Sequence, residues 1–163
     1  MVANFVAKLR GRFEVPPVDT DATGMAWFRL SSSGERLHFL LKVKNIERVT
    51  EAHIHLGAAG ENGPIIAFLF GPNKFGITVR KGIVRGSLTS EDLVGPLKGS
   101  TIEDLVKLMQ TMDTYVNVHT VQNPDGEIRG QIQADSKEKF DRKVRDSKKS
   151  AAKVKRTVAV KRR

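Results

Sequence analysis

The 163-residue chain holds 28 basic and 18 acidic side chains; 13 of the basic and 3 of the acidic lie in residues 137–163, so the net charge of +10 belongs to the tail and the body before it is neutral. No cysteine is present, which excludes disulfides, thiolate metal sites and cysteine nucleophiles. At 39% apolar the length suits one domain with a real core, and no apolar run nears the roughly 18 residues a spanning helix needs.

Residues 4–11 (NFVAKLRG) read as a first strand. Lys8, Arg10 and Arg12 stand where a secretory leader needs an apolar block. The expected place is therefore the cytoplasm, or a layer assembled inside the cell. A turn-rich loop with Pro16 and Pro17 follows. Residues 24–31 (GMAWFRLS) make a second strand, with Trp27 and Phe28 as core and edge packing. Residues 36–46 (RLHFLLKVKNI) make a third, in which Leu37, Phe39, Leu41 and Val43 alternate with His38, Leu40, Lys42 and Lys44.

Residues 51–57 (EAHIHLG) make a fourth strand. Its parity sets Ala52, Ile54 and Leu56 against Glu51, His53 and His55. The loop AAGENGP carries an Asn-Gly turn signal and leads to a strongly apolar strand, IIAFLF. That loop lacks the Lys-Ser/Thr of a phosphate cradle, and a strand rather than a helix follows it. IIAFLF is expected to be covered on both faces. Residues 81–88 (KGIVRGSL) add another strand. Ser100 with Glu103 marks a capping box, and Ile102, Leu105, Val106 and Met109 recur at helical spacing, which predicts a helix from about 101 to 112. Residues 114–121 (TYVNVHTV) and 127–133 (EIRGQIQ) read as a hairpin over NPDG. Val116 and Val118 take its core face; Tyr115, Asn117 and His119 take the other. Glu127 and Arg129 share a face and are expected to pair.

The pattern gives an all-β domain over residues 1–134: an antiparallel sandwich or barrel of about seven or eight strands with one short helix. Residues 135–163 form a basic tail, poor in large apolar residues and expected to be disordered or partly helical. Removing it is expected to leave stability nearly unchanged. Its cations, among them Lys148, Lys149, Lys153, Lys155, Arg156, Lys161, Arg162 and Arg163, suit an anionic polymer or surface: nucleic acid, anionic lipid, or a cell-wall or spore-layer component. No aromatic residue interleaves them, so base stacking is not expected.

The four histidines all fall on the less apolar faces of strands. A lone histidine there is an ordinary hydrogen-bonding residue. An HxH pair with a third histidine on a second strand fits a metal site with an open position. No nucleophile–base–acid set is visible.

The blocks AHIHLGAAGENGPIIAFLF and YVNVHTVQNPDGEIRGQI, with LRGRFEVPPVDTDATGMAWFRL before them, resemble the CHRD domain family over residues 3–134. The resemblance implies an all-β domain and no established reaction; the leading reading is a non-enzymatic binding or structural module tethered to an anionic surface by its tail. A weaker resemblance, carried by AHIHLG, VNVHT and GEIRGQI, is to copper–zinc superoxide dismutase. It implies copper ligands at His53, His55 and His119, and an anion-guiding role for Arg129. His38 would be the only spare ligand, because the histidine- and aspartate-rich zinc loop and the bridging histidine are missing. That alternative is a mononuclear copper protein with weak or no dismutase activity.

Overall fold

A computed structural model describes residues 3–135, 140 and 142–149. Eight strands run antiparallel: β1 (Asn4–Arg10), β2 (Thr23–Leu30), β3 (Leu37–Leu56), β4 (Ile65–Phe70), β5 (Ile77–Leu88), β6 (Thr114–Thr120), β7 (Ile128–Gln131) and β8 (Gln133–Ala134), with α1 (Ile102–Gln110) between β5 and β6. The all-β architecture with a short helix is as the alternation predicts.

The third and fourth predicted strands are one strand. β3 runs 20 residues without a break. The interruption of its alternation at residues 45–50 marks a kink. Asn45 and Arg48 take positive φ, 51° and 53°, and the register against β5 and β6 shifts there. Such a bulge bends a strand and raises its twist. The first half of β3 pairs with β2 and the second half with β6. The order β2-β1-β7-β6-β3 therefore closes on itself through β2–β3, and closure removes most free edges. β5 and β4 flank the two halves of β3 outside this ring.

The interior is packed by Phe5, Leu9, Phe28, Leu41, Ile54, Val116 and Ile128, with Leu105 and Met109 of α1 against it. The helix begins one residue later than the sequence suggests. Thr101, not Ser100, is its N-cap, and Asp104 completes the box. Both boxes fit the pattern, and the same apolar face is buried either way. In β4, Ile66, Ala67 and Leu69 are buried, but Phe68 is 40% exposed, so the strand is covered fully on one face only.

Beyond β8, residues 142–149 are helical. Phe140, 6% exposed, packs with Trp27 and Leu40 on the outer face of β2–β3, and Val144 adjoins them. The start of the tail therefore packs on the fold, and its removal is now expected to cost stability. An apolar stripe that short, spaced by four residues among charges, is easily read as solvated chain. Lys148 and Lys149 are exposed on this helical segment; Lys153, Lys155, Arg156, Lys161, Arg162 and Arg163 lie outside the described residues.

Candidate metal centre

The second half of β3 and β6 pair so that His53 stands opposite Asn117, His55 opposite Tyr115, and Glu51 opposite His119. Side chains alternate along a strand, so His53, His55, Tyr115, Asn117 and His119 share the face away from Ile54, Val116 and Val118. This face is not wet. His53 is 2% exposed, His55 8%, Tyr115 2% and Asn117 3%. Loops cross it and turn it into a second, polar core.

The three histidines converge. One ring nitrogen from each lies within 4.8 Å of the others. The other nitrogens are tied. His53 Nε2–H donates to Glu51 Oε2 at 2.8 Å, His55 Nδ1–H to the Gly63 carbonyl at 2.9 Å, and His119 Nδ1–H to the Pro124 carbonyl at 2.7 Å. A carbonyl can only accept, so the two carbonyl bonds fix the tautomers of His55 and His119. That leaves His53 Nδ1, His55 Nε2 and His119 Nε2 as lone-pair donors, all buried and without a hydrogen-bond partner. Buried polar atoms are rarely left so. Hydrogen-bonding the distal nitrogen is also how metal-ligating histidines are oriented. Ligand distances of about 2.0–2.1 Å place imidazole nitrogens roughly 3.4 Å apart in a tetrahedral shell, so the widest nitrogen separation has to shrink by up to about 1.4 Å.

The electrostatics also favour neutral imidazoles. Burial, then the neighbouring His119 and His55, push His53 down to about 3. Burial also lowers His55; the Gly63 carbonyl opposes this, and His119 and Arg129 reinforce it. Asn117 lies close enough to favour charged His55 slightly, but no well-formed hydrogen bond joins them. Neutral imidazole is the ligating form.

Rings and loops hold the ligands in place. Tyr115 stacks on His55 with centroids 4.9 Å apart, and Phe68 meets His53 edge-on at 4.7 Å. Arg129, 1% exposed, donates to Ala58 O, Glu61 O and Asn62 Oδ1, and its guanidinium lies 3.4 Å from the centre of the Tyr115 ring. It is a strut for the loop whose Gly63 carbonyl orients His55, not a side chain reaching out to guide an anion. Glu127 does not pair with Arg129; it accepts from Thr20, Thr120 and Asn123 and braces the turn that presents the Pro124 carbonyl. Gly63 has no room for a side chain: a Cβ there would lie 1.7 Å from Leu56 O. His38 is outside the cluster. It sits in the first half of β3, across the kink, with Nδ1 2.7 Å from Ser87 Oγ.

Sequence reasoning missed Glu14. It lies in the loop after β1, 5% exposed, and accepts from Asn117 Nδ2 at 3.3 Å. Burial raises its pKa from 4.5 to about 7, against the opposing effects of Asn117 and Arg129. The folded state therefore holds a proton that the unfolded chain releases between pH 4.5 and 7, and stability falls as pH rises through that window. Glu14→Gln removes this cost. The variant is expected to match wild type at pH 4.5–5 and to exceed it at pH 8 by up to about 3 kcal/mol, measured by denaturant unfolding at both pH values. Equal stability at pH 8 would contradict the buried-acid assignment.

A sequence profile of the CHRD domain matches residues 5–132. The chain is similar to Chordin of Xenopus laevis, with 31% identity over 132 residues, which is 76% of this chain and 12% of that protein. The profile match takes in β2 through β7, and with them all three histidines, the loop that Arg129 braces and the turn that carries Pro124: this chain belongs to the CHRD domain family.

Proposed function

We propose that this domain is a non-enzymatic binding module built around one transition-metal ion, held by His53 Nδ1, His55 Nε2 and His119 Nε2. One observation carries the reading. The three rings bring one nitrogen each within 4.8 Å of the others, and each ring keeps one buried nitrogen without a partner while its second is anchored. An all-imidazole donor set suits Cu²⁺, Zn²⁺ or Ni²⁺, and the general affinity order favours Cu²⁺. Bound there, the ion would supply Lewis acidity and a coordination position for a further ligand. The protein's own part is to keep His53 and His55 neutral and to orient all three rings. The cations of residues 137–163 support retention of the module on an anionic polymer or surface.

The test is metal analysis of the full chain purified without a histidine tag, followed by competition titration of the apo protein. One equivalent of Cu²⁺, bound more tightly than Zn²⁺, is expected. Failure of the apo protein to bind any of the three ions at micromolar concentration would leave these histidines as structural residues.

A further inference from the structure

The neutral body is not neutral everywhere. On the outer face of β1, β2 and the first half of β3, strand register lays out two rows: Lys8–Met25–Lys42 and Arg10–Thr23–Lys44. Each row carries a cation on both outer strands, about 10 Å apart at the usual strand spacing. The helical segment 142–149 runs alongside and adds Arg142 and Lys143. These six cations line one open groove of about 690 Å³, and among the described residues Asp135 is the one acidic side chain in its lining. Lys42 and Lys143 both lie against the Trp27 ring, their Nζ atoms 5.8 and 5.6 Å from its centre.

Gathering like charges this way disfavours the fold. Burial lowers the Lys42 pKa first, and Lys143 lowers it further; Asp146 opposes, and Lys44 adds to the repulsion. A bound anion would relieve it. The groove's form narrows the choice of anion. Trp27 is 6% exposed and lies under Phe140, so it offers no free face for stacking a base. None of the exposed large apolar side chains among the described residues lines the groove, so it has nothing to insert into a bilayer.

We infer that this groove is a folded binding site for a linear polyanion without aromatic bases, whose phosphate, sulfate or carboxylate groups would run between the β-face and the helix. It is distinct from the tail contact described above and independent of the metal centre.

The probe is inorganic polyphosphate, titrated against the full chain over a range of salt concentrations with Trp27, the only tryptophan, as fluorescent reporter. Lys8→Gln/Lys42→Gln/Lys44→Gln is expected to lower the salt slope of log Kd by about 2, at roughly 0.7 per cation, and affinity at 0.1 M salt by ~100-fold. Lys8→Gln/Lys44→Gln changes only exposed side chains, so folding is not in question, and about two-thirds of the slope change is expected. Unchanged affinity and slope in the double variant would overturn the inference and assign polyphosphate binding to the tail. Tighter wild-type binding to a single-stranded oligonucleotide of equal charge, or to anionic vesicles, would overturn the polymer class.

Discussion

Replacing His119 by alanine is expected to lower Cu²⁺ affinity by on the order of a hundredfold or more while the barrel stays folded. Losing a hydrogen-bond partner behind a ligand typically costs 10–100-fold in metal affinity, and losing a ligand removes the bond itself. His119 is the cleanest of the three to delete. It is the least buried, and its one hydrogen bond is to a turn carbonyl. His53→Ala would also open a cavity beside Phe68 and mix a packing cost into the result. Glu51→Gln supplies a graded control. It leaves all three ligands but weakens the acceptor that orients His53, so a smaller loss, ~10-fold, is expected. The measurement is competition titration of each apo variant, with thermal melting of the same samples. Unchanged copper affinity in His119→Ala would remove His119 from the site. Unfolding of that variant in the absence of metal would make the histidines structural hydrogen-bonders instead.

Which faces His53, His55 and His119 take was legible because strand parity is rigid; that the two strands lie side by side was not, and only their pairing gives it. Residues i and i+2 share a face, and the valines of YVNVHTV show which face His119 takes. What parity could not give was depth. An alternating strand looks half-solvated, but loops with little regular structure cover this face. Their carbonyls at Gly63 and Pro124 leave no mark in side-chain pattern, and Glu14 comes from a loop more than 100 residues from its partner Asn117. Arg129 illustrates the same limit. A glycine-flanked arginine on a polar strand face looks available, yet three oxygens already hold it. The kink in β3 was misread as a strand boundary because a bulge and a turn both interrupt alternation. Only pairing with β2 at one end and β6 at the other distinguishes them. The groove of cations was hidden for a related reason. Net charge sums over the whole body, whereas register gathers Lys8, Arg10, Lys42 and Lys44 on one patch.

Ending the chain after Ala134 is expected to destabilise the domain, although composition alone suggests little effect. Truncation removes Phe140 and Val144 and uncovers Trp27 and Leu40, which are 6% and 0% exposed in the full chain. Phe→Ala at a well-packed site costs about 3–5 kcal/mol. The low end applies here, because the cluster lies on an outer face where neighbours can relax. Phe140→Ala is therefore expected to cost about 3 kcal/mol, or roughly 6–12 °C in Tm for a chain of this length. The truncation should cost at least as much, offset in part by relief of the repulsion between Lys42 and Lys143. Because Trp27 is the only tryptophan, both changes should shift its emission to longer wavelength as water reaches the ring, at temperatures where the barrel is still folded. Phe140→Leu keeps most of the apolar contact and should recover most of the stability and the blue emission. If both Phe140→Ala and the truncated chain melted with wild type and kept its emission spectrum, the helical segment would not pack on β2–β3 in solution. The groove would then lose Arg142 and Lys143, and its remaining cations would stand on an open sheet face.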